Sequence, residues 1–234
     1  MSNATNAFQA LFEQCVLIAY DHQIHVTPKV HAPWWFDMDS GTLAFTQADG
    51  SQFITPVQLL GTQSDHDGTF LWAWANEQSG APTTLLESVT RLRAFGQQHA
   101  IAELVDPLLE GYDGHTLAMV AVGLTGAPAY YRAPYEGGAA FMLMMSDEIW
   151  ERPEVPVLRV AQMLGHLLEE VELSNPLRSL LGWAKVLELQ ESPIDHGVRL
   201  TAADGSWVDL ELDTAGRIGR ITAQAGEDAQ SDGD

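Results

Sequence analysis

Apolar residues recur every three or four positions at the start of the chain, at Phe8, Leu11, Phe12, Cys15, Val16 and Ala19. This spacing predicts an amphipathic helix with Thr5 as its N-cap. Beyond it the pattern changes to short apolar runs split by turn formers. Runs at residues 34–36, 42–45 and 53–60 are separated by Asp39-Ser40-Gly41 and Ala48-Asp49-Gly50-Ser51, which predicts antiparallel hairpins. Pro56 implies an edge position or a bulge in the third run. A turn at residues 65–68 then leads into Phe70-Leu71-Trp72-Ala73-Trp74-Ala75-Asn76. Read as a strand, this segment places Phe70, Trp72 and Trp74 on one face and Leu71, Ala73 and Ala75 on the other. Both faces are apolar, which predicts a central strand covered on two sides.

Helical signals return with Thr84 and Glu87, a capping box opening a helix that runs to about Gln98. Asp113 reads as the N-cap of another helix. Its residues 117–124 are apolar all round, so it is expected to be buried, and Gly126 and Pro128 stop it. Strands follow at 129–132 and 139–145, joined through Pro134-Tyr135-Glu136-Gly137-Gly138. The acidic, proline-containing stretch 146–156 is the best candidate boundary. After it, Val157, Val160, Ala161, Leu164, Leu167, Leu168 and Val171 form a further helical stripe, and a short helix begins near Asn175. Four strands are expected to finish the chain, at 184–189, 198–201, 207–212 and 217–222. The pattern therefore predicts an α+β fold. A main domain over 1–150 combines the N-terminal helix, an antiparallel meander and packed helices; a smaller helix-plus-meander unit spans 151–224, and residues 225–234 form a disordered acidic tail. The strings at 46–53 and 201–208 are nearly the same. They are read as convergent Asp-Gly turn chemistry, with two related halves as the alternative.

Composition alters this picture in one respect. The formal net charge is −21, and no Lys or Arg occurs from residue 30 to residue 90, where Asp37, Asp39, Asp49, Asp65, Asp67, Glu77 and Glu87 all fall. The last nine residues hold four acids, so most of the charge belongs to the body. Such a field repels nucleic acid and anionic lipid and speeds encounter with basic partners. Cys15 is the only cysteine, which excludes an intrachain disulfide and a multi-cysteine metal site; within its apolar stripe it reads as a buried structural thiol. No signal peptide is visible, and the longest apolar runs fall far short of the roughly 20 residues a spanning helix needs. A cytoplasmic, reducing home is expected.

Candidate chemistry is sparse. Asp65-His66-Asp67, the group Asp21, His22, His25 and His31, and the helix-face pair His166 and Glu170 match no standard zinc spacing. His115, just inside a buried helix, is the histidine best placed to be desolvated. No phosphate-binding loop, dinucleotide fingerprint, zinc-protease helix or nucleophile elbow is present, and no cofactor or metal is expected. In Tyr130-Tyr131-Arg132-Ala133-Pro134-Tyr135, strand alternation sets Tyr130 and Arg132 on one face. That patch reads as an aromatic hairpin or as a ligand cleft with Arg132 anchoring an anion.

Several runs together resemble a bacterial family known only as a domain of unknown function. They are Trp35-Phe36-Asp37-Met38-Asp39-Ser40-Gly41-Thr42-Leu43, the Leu59-Leu60-Gly61-Thr62 run followed by residues 70–76, Asp113-Gly114-His115-Thr116-Leu117, and residues 130–138. The likeness spans roughly residues 30 to 145, with residues 213–218 also fitting, and it implies a soluble α+β protein without supplying any catalytic residue. The expectation is thus a non-enzymatic acidic binding protein, an immunity-type partner of a basic toxin or effector. Its candidate contacts are Asp37, Asp39, Asp65, Asp67, Tyr130, Arg132 and Tyr135. The alternative is a small-molecule-binding or enzymatic domain with a cleft near Tyr130, Arg132 and Tyr135.

Overall fold

The first helix, α1 (Asn6–Val26), starts where expected, with the Thr5 hydroxyl accepting from Phe8 N. In this computed structural model, residues 4–30, 33–146 and 156–226 are described. Among the described residues, two antiparallel sheets and five helices make an α+β architecture. The larger sheet contains β1 (Trp34–Asp37), β2 (Thr42–Thr46), β3 (Gln52–Ser64), β4 (Phe70–Trp72), β5 (Leu108–Leu109), β6 (Ala129–Tyr135) and β7 (Gly138–Met144). Its order is β1-β2-β3-β4-β5, with β7 also joined to β3 and β6 to β7.

β3 is the spine. Its first half pairs with β2, from Thr42↔Pro56 to Thr46↔Gln52, and its second half pairs with β7, from Val57↔Met144 to Ser64↔Gly138. Pro56 sits where pairing passes from one partner to the other. Its carbonyl accepts from Met145 N, so its imide nitrogen faces the end of β7, where no ladder donor is required. A bulge follows between Leu59 and Gly61.

That bulge accounts for a correction. The segment 70–76 is not one strand: β4 stops at Trp72, which pairs with Gly61, and Ala73–Ala75 coil into a 3₁₀ turn. β4 would next have to pair with the displaced residue at the bulge, and the ladder ends there instead. Phe70 and Trp72 are core residues as expected, whereas Trp74 is only half-buried, under the Arg93 guanidinium at 3.9 Å.

The helix α2 (Glu87–His99) forms, but not through the Thr84 capping box, because a 3₁₀ turn at Thr83–Leu85 intervenes. Gln58 of β3 holds its start instead, accepting from Ser88 N (2.9 Å) and donating to Thr84 O (2.7 Å). α3 (Gly114–Thr125) is buried along most of its length, with Asp113 as N-cap. It lies close to α1, since a Cβ at Gly123 would fall 2.6 Å from Cys15 Sγ. Burial pushes the Cys15 thiol up to about 12, consistent with a packing role.

The second sheet has the order β11-β10-β9-β8, from β8 (Gln190–Ile194), β9 (Gly197–Thr201), β10 (Trp207–Leu212) and β11 (Ile218–Gln224). It accompanies α4 (Val160–Glu170) and α5 (Pro176–Val186), the latter capped by Asn175. The strand expected at 184–189 is instead the end of α5 and its cap; Glu188 adopts φ 58 and Leu189 N returns to Ala184 O. The nearly repeated strings fold into the same turn. Gln47 N donates to Ser51 O and Ala202 N to Ser206 O, both at 2.8 Å, and each Asp accepts from its Ser. Gly226 is buried, its N donating to Ser206 Oγ, so the chain is held two residues past 224; residues 147–155 of the expected boundary and 227–234 of the expected tail lie outside the described residues.

Two buried carboxylates on α1 bind the second sheet's helices. Glu13 accepts from Arg178 Nη1 (2.6 Å), Ser174 N (2.8 Å) and Asn175 N (3.2 Å). Asp21 accepts from Arg159 Nη2 (2.7 Å) and Trp183 Nε1 (3.1 Å).

Candidate functional site

The patch read from residues 130–135 lies at one end of the larger sheet, where the β3–β4 turn, the β6–β7 turn and the start of α3 meet. Asp65 N donates to Gly137 O, and Arg132 pairs with Asp65 at 3.6 Å, both side chains partly exposed. Inside this rim, Tyr130 is buried and its hydroxyl lies 2.9 Å from His115 Nδ1. The ring of Phe141 meets His115 edge-on at 5.3 Å. Burial lowers the His115 pKa, with Asp113 opposing and Arg132 adding to the shift. Burial also raises that of Tyr130, helped by Asp113 and Glu170. At neutral pH the pair is therefore a neutral imidazole and a protonated phenol bonded to each other. This arrangement locks α3 to β6.

Five of the seven acids of the base-free zone sit at hairpin turns, while Glu77 lies in a 3₁₀ turn and Glu87 opens α2. Asp37 accepts from Asp39 N (3.0 Å) and Ser40 Oγ (2.7 Å), and Asp67 from Thr69 N (3.1 Å) and Thr69 Oγ1 (2.8 Å). Those hydrogen bonds hold the carboxyls of Asp37, Asp49 and Asp67 below the usual range, the side-chain hydroxyl being the larger cause in each. Much of the acidity is thus turn chemistry that also leaves fixed negative charge at the surface.

Of the seven candidate contacts, Asp65, Asp67, Tyr130, Arg132 and Tyr135 lie around this one end. Asp37 and Asp39 do not join them. Their turn is level with Pro56, eight residues along β3 from Ser64, or roughly 25 Å away.

Near Asp37 the structure shows two residues that the sequence reading passed over. Trp35↔Ala44 and Ala44↔Ile54 are successive cross-strand pairs, so the three side chains form a row across the outer face of β1, β2 and β3. Trp35 is 42% exposed and Ile54 51%, while Ala44 between them is covered. Along the strands, the β1–β2 turn with Asp37 and Asp39 lies on one side of the row and the β2–β3 tip with Asp49 on the other. The signal lay in the adjacent tryptophans, because a two-residue period that buries Trp34 must turn Trp35 outward.

For metals, no group of three His, Cys, Asp or Glu side chains among the described residues could hold an ion. Asp21 is occupied by Arg159 and Trp183. His25 Nδ1 lies 2.8 Å from the Asp21 carbonyl and Nε2 3.1 Å from Arg159 Nη1, so both ring nitrogens are engaged. His31 lies outside the described residues. Among the described residues, no helix is long and apolar enough to cross a membrane.

No curated protein and no solved structure matches the chain. A family of unknown function, DUF6882, matches residues 9–147. That span takes in the larger sheet and nearly all of α1, and stops short of the arginines that hold Glu13 and Asp21. Covering more than half of the sequence, the match places this chain in the family DUF6882.

Proposed function

We propose that this protein is a non-enzymatic acidic binding protein whose β1–β2–β3 outer face docks a basic protein. An immunity-type pairing with a bacterial toxin or effector in the cytoplasm is the setting that suits it. The observation that carries the reading is the Trp35–Ala44–Ile54 row. An exposed tryptophan and isoleucine, with Asp37, Asp39 and Asp49 on the turns to either side and no Lys or Arg in the sequence from residue 30 to residue 90, have the make-up of a recognition centre with a charged rim. The acids steer a basic surface to the face, and Trp35 anchors it once water is expelled. The rival reading, a ligand cleft at Tyr130, Arg132 and Tyr135, has less support. Tyr130 is buried against His115, and Arg132 is already paired with Asp65.

The test compares three forms as bait in extracts of the native host: the unaltered chain, Trp35→Ser with Ile54→Ser, and Asp37→Asn with Asp39→Asn and Asp49→Asn. A basic protein should be retained by the first and lost by the second, a cost of about 2 kcal/mol or more at a central tryptophan. With that partner purified, the Asn variant should associate more slowly and lose the salt dependence of its on-rate. Retention by the Trp35/Ile54 variant, or an on-rate indifferent to salt, would rule the face out.

A further inference from the structure

A groove of about 450 Å³ runs between α4, the link into α5, and β11, within the size range of small-molecule sites. One wall is α4, where Ala161, Gly165 and Leu168 are exposed at helical spacing beside the buried Leu164. The sequence pattern marks Ala161 and Leu168 as part of an apolar face, yet Ala161 is exposed and Leu168 is 45% exposed. The opposite wall is β11, with Ile218, Gly219 and Ile221.

Both walls carry a glycine where regular structure disfavours one. A glycine inside a helix or strand costs roughly 0.5–1 kcal/mol relative to alanine, a cost often offset by close packing. Here it is not. A Cβ on Gly165 would meet nothing within 4 Å, and one on Gly219 only Glu211 O at 3.8 Å. What the two missing side chains provide is width.

The mouth carries positive charge in a chain that has only 11 cations. Arg217 and Arg220 both line the groove. Arg217 clamps Asp213; Arg220 stands opposite Glu211 in the β10–β11 ladder but takes part in none of the ion pairs found among the described residues. A molecule of net charge −21 repels anions at long range, so an anion could be held only where local cations outweigh that field.

We propose that this groove is a binding site for an amphipathic carboxylate, a small molecule with an acyl-like body and one anionic head. The body lies over Gly165 and Gly219 between Leu168 and Ile221, and the carboxylate pairs with Arg220, assisted by Arg217. An extended acidic peptide is the competing occupant. It would run along β11, an edge strand of its sheet, and the titration below distinguishes the two.

Calorimetric titration of the full chain with laurate, kept below its micelle concentration, tests the proposal, with dodecanol and dodecyltrimethylammonium as head-group controls. Saturable one-to-one binding of laurate is expected, weakened at least fivefold by Arg220→Gln and abolished by Gly165→Leu, which fills the groove from a helix position with open space around it. Thermal melting of each variant checks that it is folded, and Gly219→Val fills the groove from the other wall if Gly165→Leu is not. Dodecanol should bind more weakly and the cationic amphiphile not at all. Absence of saturation, unchanged affinity in the filled variants, or equal binding of the cationic control would overturn the proposal. Capture of a leucine–glutamate peptide in place of laurate would also overturn it and give the groove to a protein partner.

Discussion

Trp72 and Trp74 are two residues apart, but their surroundings differ. Trp72 is fully buried, its Nε1 donating to Glu103 O at 3.0 Å and its ring meeting Phe70 edge-on. Replacing it with alanine leaves a large cavity and an unpaired carbonyl, so Trp72→Ala should cost about 3–5 kcal/mol in denaturant unfolding. Trp74 lies past the end of β4, half-buried, with Arg93 stacked over it. Trp74→Ala should cost less, about 1–2 kcal/mol, mostly lost stacking and partial burial. Equal losses in the two variants would mean that the 3₁₀ turn is as much part of the core as the strand. A strict two-residue period in the sequence treats both tryptophans alike. It cannot register a bulge on the neighbouring strand, which here decides where the alternation stops.

Elements were legible where local pattern and local partner coincide. α1, α3 and α5 start at Thr5, Asp113 and Asn175, each a capping side chain adjacent to the helix it serves. α2 differs because its first turn is held by Gln58, 30 residues upstream, which no local reading reaches. Gln58→Ala should therefore destabilise by about 1–2 kcal/mol, since it removes an acceptor for Ser88 N and a donor to Thr84 O at once. The same change in Thr84, exposed and with no side-chain bond to the helix start, should be nearly silent. Urea midpoints of the two variants give the comparison. The first strand of the smaller sheet was missed for a different reason. β8 reads Gln-Glu-Ser-Pro-Ile, polar and broken by Pro193, a composition tolerated only because it is an edge strand. Of the candidate site, the acids and the Tyr130 patch were legible as residue types. The separation of Asp37 from Asp65, and the outward turn of Trp35 beside Ile54, depend on register along a 13-residue strand and emerge only in three dimensions.

At the scale of the molecule, the buried ionisable groups give the fold a pH dependence. Burial lowers the pKa of His22 and His115 below the ordinary 6.5, so the unfolded chain takes up those protons first as pH falls. Their contribution is complete above pH 6.5 and declines below it. Burial would raise Glu13, but hydrogen bonds from Ser174, Gln9 and Asn175 outweigh it and hold the pKa below 4.5. Its contribution is complete above pH 4.5 and is lost on further acidification. Urea midpoints measured from pH 8 to pH 3 should thus fall in two stages, and His22→Gln should reduce the first without altering the second. The placement of Glu13 and Asp21 also has a consequence during synthesis. Their cationic partners come 165 and 138 residues later. At about 5–20 residues per second the ribosome needs roughly 10–30 s to supply them. Throughout that interval α1 carries two carboxylates that are tolerable only while wet, so the face that carries them must stay hydrated until Arg159 and Arg178 have been made.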